Sequence, residues 1–239
     1  MDNVQTETIR NNIDKVLDRI QKTAGAAGRD PENISLIAVT KKKSAAIVKA
    51  LVEYGIKDIG ESYLKEALFK IDLLKDYDIN WHMIGTIQRG KEKEISAKFS
   101  EVHSLDNKKI AHQLNKYANI YDRKLPVYLE FNVSGEQTKH GWGAWSEDLW
   151  PDLLPEIEEM LGFSNLEIRG LMTMAPYSNN PEDARPYFKR LRELRDYLSL
   201  QFPAEDFREL SMGMSGDYEV AIQEGATVLR IGSALVGPR

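Results

Sequence analysis

Eight short apolar runs, each separated from the next by an amphipathic stretch or a turn-rich segment, govern what this chain can fold into. The runs are Ile34–Thr40, Lys57–Ile59, Trp81–Ile84, Val102–Leu105, Val127–Val133, Leu166–Met172, Glu209–Met212 and Thr227–Ile231. Between them lie Ala45–Tyr54, Tyr63–Leu74, Lys91–Phe99, Lys108–Ile120, Glu147–Leu161, Pro181–Leu200 and Tyr218–Gln223, which read as helices. A strand that returns through a helix pairs parallel with its neighbour. Eight such units in 239 residues match a (β/α)8 TIM barrel. A doubly wound open sheet is the competing arrangement, and Lys57–Ile59 is the weakest of the eight strands. Ile9, Ile13, Val16, Leu17 and Ile20 add a leader helix over about 4–24, closed by Gly25 and Gly28. No repeat, linker or low-complexity tract marks a boundary. The expectation is a single domain over 1–239, with the barrel over about 34–236, an extra N-terminal helix and no second β-domain.

Composition removes several function classes. There is no cysteine, so disulfides, thiolate nucleophiles and thiolate metal sites are excluded. The net charge is −5, which offers no overall positive field to nucleic acid or to an anionic membrane. The first residues lack a basic n-region followed by an apolar core, and no apolar stretch reaches ~18 residues. A cytoplasmic protein is expected.

In a barrel, chemistry belongs at the C-terminal ends of the strands. Lys41 stands at the end of the first run and opens the cluster Lys41-Lys42-Lys43. Poor hydration and neighbouring positive charges both lower a lysine pKa, and a partly neutral lysine forms a Schiff base with a carbonyl compound. Taken alone, the same residues suit a solvated charge run that ends a strand. After the seventh run comes Ser211-Met212-Gly213-Met214-Ser215-Gly216-Asp217, and after the eighth Gly232-Ser233-Ala234. Glycines and hydroxyls ahead of helix starts make an anion site, and barrels commonly bind phosphate in these two loops. Ser215 and Asp217 also suit ordinary helix capping.

Arg230 sits in an apolar frame and needs a partner. That partner is either an internal carboxylate such as Glu61 or Glu219, or a ligand in the barrel mouth. Glu61 and Glu66 otherwise read as capping and surface residues. His82, His103, His112 and His140 show no metal spacing, so no metal is expected, and His82 and His103 read as hydrogen-bonded core. Met172, Met174, Met212 and Met214 line or cap the barrel, and Tyr177 could wall a pocket.

Seven motifs together resemble the pyridoxal 5′-phosphate homeostasis (YggS/PROSC) family, whose barrel is the alanine-racemase-like, fold-type III one. They are Ala38-Val39-Thr40-Lys41, Gly60-Glu61-Ser62-Tyr63, Trp81-His82-Met83-Ile84-Gly85, His103-Ser104-Leu105-Asp106, Gly170-Leu171-Met172-Thr173-Met174, Ser211–Tyr218 and Arg230-Ile231-Gly232-Ser233. The resemblance covers essentially the whole chain. It implies that Lys41 holds pyridoxal 5′-phosphate as a Schiff base. Ser215, Gly232 and Ser233 would cradle the phosphate, with Met214 and Gly213 beside them, while Arg230 faces the pyridine nitrogen and Ser62 lies near the cofactor. Two positions depart from the family pattern. Ser62 stands where asparagine is common, and Gln88-Arg89-Gly90-Lys91 replaces Gln-x-Asn-Lys. Lys139, in a lysine-before-glycine pattern, is either a second lysine used in cofactor hand-over or a solvated loop residue.

The function this implies is non-catalytic cofactor holding and homeostasis, with apoenzymes as possible recipients. A racemase is the alternative, but it needs bases on both faces of the substrate carbon. In fold-type III enzymes the second base comes from a partner's β-domain, and the chain ends at Gly237-Pro238-Arg239 without one. A monomer is therefore expected. A cofactor-free Schiff-base aldolase is the third reading.

Overall fold

The computed structural model describes residues 3–238; Met1, Asp2 and Arg239, the ends of the expected 1–239 span, lie outside the described residues. The barrel strands are β1 (Ser35–Val39), β2 (Asp58–Glu61), β3 (Asn80–Met83), β4 (Glu101–Leu105), β5 (Leu125–Asn132), β7 (Leu166–Met172), β8 (Glu209–Ser211) and β9 (Val228–Ile231); a two-residue strand, β6 (Trp142–Gly143), precedes β7. Every pairing is parallel, in the order β4-β3-β2-β1-β9-β8-β7-β5, and β4 pairs with β5 to close the ring. Closure removes the open-sheet alternative. The weakest expected strand is real: Ile59 of β2 pairs with Ala38 on one side and Trp81 on the other. The sequence reading did not contain β6, which lies against the end of β5 through Phe131 and Trp142. Two residues are too few to show a strand period.

The helices are α1 (Asn3–Ala26), α2 (Ala45–Glu53), α3 (Leu64–Leu73), α4 (Glu92–Lys98), α5 (Lys108–Ile120), α6 (Trp150–Leu161), α7 (Arg185–Gln201), α8 (Tyr218–Gln223) and α9 (Ser233–Val236). Proline near the start of α6 and of α7 follows a short 3₁₀ turn in each case. These turns fall inside the expected 147–161 and 181–200 helices and trim their first residues. Helix α1 buries Ile9, Ile13, Val16, Ile20 and Ala24 and packs on α2, α8 and α9. Leu17, counted in that stripe from sequence, is exposed. The Asn12 side-chain amide donates to Leu235 O at 3.1 Å, and Arg29 donates to Ile222 O at 2.6 Å, so the leader helix is fastened to the end of the barrel.

Side chains alternate across each strand, one set inward and the next outward. Inside the ring, Ile37, Tyr128, Met172 and Val228 pack as a small inner core, separate from the larger apolar layer between strands and helices. Two residues on from Ile37 and Val228 along the same face come Val39 and Arg230, and two further come Lys41 and Gly232. The strand period thereby stacks the candidate residues above the inner core, at the C-terminal mouth. Among the described residues, no helix is long and apolar enough to cross a membrane.

Candidate functional site

Two cavities open at the barrel mouth, and half-buried Lys41 belongs to the wall of both. The first, of about 600 Å³, is lined by Lys41, Met214, Ser215, Arg230, Gly232 and Ser233, with Tyr177 on its outer wall. Six of the seven cofactor residues expected from sequence therefore share one space. Ser62 does not line it; it lines the second cavity, of about 730 Å³, on the other side of Lys41.

At one end of the first cavity the loops after β8 and β9 are tied together. Ser215 Oγ accepts the backbone N–H of Gly232 and of Ala234, both at 3.2 Å. With two N–H groups on its oxygen, the hydroxyl proton is what Ser215 has left to offer a ligand. Gly213 adopts φ +94°, and a Cβ there would lie 2.6 Å from that of Ala221, so no other residue fits this turn. The Asp217 side chain does not cap α8. Its Oδ1 instead accepts Met214 N–H at 2.6 Å, which fixes the loop below Ser215.

Arg230 is buried, and its partners are not those expected. Nη1 donates to Ser211 Oγ at 2.7 Å and Nη2 to Thr173 O at 2.8 Å. Glu219 instead pairs with Arg19 at the surface, and Glu61 pairs with Lys70 behind the sheet. Burial pulls the guanidinium down to about 10, against the opposing pull of Glu130 and Asp217, so it stays charged at neutral pH. From Ser211 a polar chain descends through the barrel. His103 Nδ1 lies 2.9 Å from Ser211 Oγ, His103 Nε2 lies 3.1 Å from His82 Nδ1, and His82 Nε2 lies 3.0 Å from Asp58. Burial drives His103 down to about 3. Burial opposes charge on His82 too, but hydrogen bonds with Asp58 and Glu101 outweigh it and raise the pKa. His82, Glu101 and His103 are close enough to share an ion, yet each ring nitrogen already has a hydrogen-bond partner, in keeping with the hydrogen-bonded core read from sequence.

Behind β1 and β2 lies an ion cluster that the sequence reading missed. Lys70, 2% exposed, donates to Glu61 at 2.7 Å, to Glu66 at 2.6 Å and to the carbonyl of Thr40 at 2.8 Å. Glu66 also accepts the backbone N–H of Lys42 at 2.7 Å. The peptide groups on both sides of Lys41 are therefore held from helix α3, and Lys42 adopts φ +62° between them. Glu61 and Glu66 are neither caps nor surface decoration; Glu61 is fully buried. A signal existed in the sequence, since Lys70 interrupts the apolar face that Ala67 and Leu74 define on α3. Lys139 is partly buried rather than solvated, contacting Glu136 at 3.3 Å and the carbonyl of Met174.

Glu130, at the inward end of β5, is 3% exposed and lines the second cavity. Burial and then Asp106 push its carboxyl up to about 7, with Arg230 and Lys139 opposing. A carboxyl raised in the folded state costs stability as pH climbs from its unfolded value to its folded one. Glu130→Gln should therefore gain on the wild type by about 3 kcal/mol between pH 4 and pH 8. Denaturant unfolding at the two pH values measures this; a constant gap would mean the carboxyl is not raised.

Comparison with known proteins places this geometry. Residues 4–239 match the family model described as alanine racemase, N-terminal domain. A protein of Aquifex aeolicus named pyridoxal phosphate homeostasis protein is 42% identical over 228 residues, covering 95% of this chain and 96% of the relative. One of the same name from Pseudomonas aeruginosa is 44% identical over 232 residues, 97% of this chain and 96% of its own. PipY of Synechococcus elongatus, solved with pyridoxal phosphate bound, superposes with a TM-score of 0.79 at 30% identity, covering 92% of this chain and all of that one. Alanine racemase from Clostridium difficile shares the fold alone, at 14% identity and a TM-score of 0.71. The match runs over the whole length of relatives that carry one name, and the chain belongs to the pyridoxal phosphate homeostasis protein family.

Proposed function

We propose that the chain holds pyridoxal 5′-phosphate in the first cavity, attached to Lys41, and serves cofactor homeostasis without catalytic turnover. The observation that carries this is the placing of one lysine, two hydroxyl-bearing loops and one buried guanidinium around a single space of about 600 Å³. The residues fit the group. Ser215 and Ser233 supply donors for a phosphate, Arg230 supplies a fixed positive wall, and Lys41 supplies an amine across from both. The PipY structure with pyridoxal phosphate bound, at 30% identity, supports the same ligand.

When bound, the cofactor supplies an aldehyde that condenses with amines and a ring that accepts electrons. The residues of this chain favour the first property over the second. Arg230 is held by Ser211 and Thr173 and stays protonated, so a pyridine nitrogen facing it would accept its hydrogen bond without gaining its proton. A ring left unprotonated is a poor electron sink, which suits holding rather than racemisation. Apoenzymes that need the cofactor are the natural recipients, within the cytoplasm.

The deciding experiment is the visible spectrum of purified protein before and after borohydride, with a peptide map. A yellow protein labelled at Lys41, with no amino-acid racemisation, is expected. A protein that stays colourless with added pyridoxal phosphate overturns the proposal. Ser215→Ala should weaken cofactor binding by about 1 kcal/mol, or roughly fivefold in Kd, for the loss of one neutral hydrogen bond. Fluorescence titration of the cofactor checks it, and an unchanged Kd would move the phosphate elsewhere.

A further inference from the structure

The polar chain behind Arg230 takes one member from each of five strands: Asp58 on β2, His82 on β3, His103 on β4, Ser211 on β8 and Arg230 on β9. It starts at the floor of the barrel, where the Asp58 side chain is 38% exposed, and ends at a guanidinium that lines the first cavity. The two ends dictate where its protons sit. A carboxylate only accepts, so His82 Nε2, 3.0 Å from Asp58, carries a hydrogen. A guanidinium only donates, so Ser211 Oγ accepts from Arg230 at 2.7 Å.

Between these ends His82 Nδ1 and His103 Nε2 lie 3.1 Å apart, with Glu101 Oε2 3.5 Å from each. Two imidazole nitrogens at that distance share one proton; a second would collide with it, and with none the lone pairs would repel. While His82 is neutral, the shared proton belongs to His103 Nε2. His103 Nδ1 then accepts the Ser211 hydroxyl at 2.9 Å, and every donor in the chain points from Arg230 towards Asp58. Once His82 is charged, its own Nδ1 fills the gap, and neutral His103 carries its proton on Nδ1, aimed at Ser211 Oγ. The net change is one proton taken up: His82 gains an N–H at Nδ1, and His103 exchanges its Nε2–H for an Nδ1–H. The His103 ring is stacked on Tyr128 at 4.1 Å, and Tyr128 is tied to Glu209, so the proton relocates and the ring does not turn over. Ser211 now accepts from both His103 and Arg230, and its hydroxyl turns away.

Of the two rings, His82 is the one that charges. Burial opposes charge on both, but hydrogen bonds with Asp58 and Glu101 raise His82, whereas burial holds His103 down to about 3. The cations nearest the pair have partners of their own, Arg169 on Glu101 at 3.0 Å and Arg230 on Ser211. We propose that His82, His103 and Ser211 are positioning residues for Arg230, forming a chain whose donor direction reverses when His82 takes up a proton. The inference rests on the reading that sets Arg230 against the cofactor. It makes the grip on that cofactor depend on pH through side chains that line neither cavity.

Nitrogen-15 NMR of the histidine rings reads the chain directly, in full-length protein without cofactor, titrated from about pH 5 to about pH 9. A chelator keeps stray ions off the ring nitrogens, and the exposed His112 and His140 are internal references. His103 should stay neutral and move its proton from Nδ1 to Nε2 as pH rises, at the midpoint where His82 loses its charge. Asp58→Asn should lower that midpoint by about one pH unit. His103 holding its proton on one nitrogen throughout overturns the proposal, and so does a His82 that never titrates. Coupling to the site is read as the ratio of cofactor Kd in wild type to that in His82→Gln, in which the titrations of the cofactor and of Glu130 cancel. The ratio should change about fivefold across the same midpoint, the worth of one neutral hydrogen bond. A flat ratio overturns the positioning role. Failure to bind pyridoxal phosphate at any pH would instead sink the cofactor reading, and the ring signals would still decide the chain.

Discussion

Lys41→Ala is expected to give a folded protein from which borohydride fixes no cofactor at all. The covalent link needs an amine, and the substitution removes it. The stability should hardly move, because Lys41 is half-buried at a cavity wall rather than packed in the core. Residual, reversible binding should persist through Ser215, Ser233 and Arg230, none of which depends on Lys41 for its position. Ser215 is held by the Gly232 and Ala234 amides, and Arg230 by Ser211 and Thr173. Absorbance, borohydride trapping and thermal unfolding of the same sample separate the cases. Trapped cofactor at another lysine would reassign the anchor, and a large fall in Tm would make Lys41 structural.

Lys70→Met should destabilise the fold more than any of the substitutions at the two cavities. Its length is nearly preserved, so little space is opened, but the charge that neutralises fully buried Glu61 is gone. Breaking a buried pair on one side typically costs about 3–5 kcal/mol. Glu61 Oε2 already has no hydrogen-bond partner, so nothing in place can take over from the lysine. Burial raises the Glu61 carboxyl even with Lys70 present. Without Lys70 it should rise further, and the variant should recover stability as pH falls and Glu61 takes up a proton. The double variant Lys70→Met with Glu61→Gln should recover much of the loss at neutral pH. Chemical denaturation across pH checks both; equal stability of Lys70→Met and wild type at pH 7 would show the cluster to be dispensable. The cluster also bears on the site, since Thr40 O and Lys42 N–H, the groups flanking Lys41, are held by Lys70 and Glu66.

The barrel was legible in the sequence because its signals are local. Alternation of short apolar runs and helical stretches depends on neighbours two to four residues apart, and it placed all eight barrel strands, including Asp58–Glu61. The two loops that meet at Ser215 were legible for the same reason, as glycine and serine after successive strands. What the sequence did not reveal depends on meetings across the ring. Arg230 faces Ser211 and Thr173 because of how β9 registers against β8 and β7, and no spacing along the chain encodes that. Ser62, expected near the cofactor, lines the cavity on the β2 side of Lys41 rather than the one that holds the phosphate loops, since β2 and β9 flank β1 on opposite sides. Lys70 was passed over in the sequence because charge on a helix usually faces water, and only the fold turns that position inward.

Helix α1 carries a consequence for how the molecule comes into being. The amide of Asn12 meets the carbonyl of Leu235 across 223 positions of chain, and Arg29 reaches Ile222 across 193. A ribosome releases these partners many seconds apart, at about 5–20 residues per second. For that interval the buried stripe of the leader helix has only α2, not α8 and α9, to rest on, and the phosphate end of the first cavity does not exist. The nascent barrel is thus unable to grip its ligand until the last strand and the helix after it have emerged, so ligand capture and completion of the fold fall at the same moment.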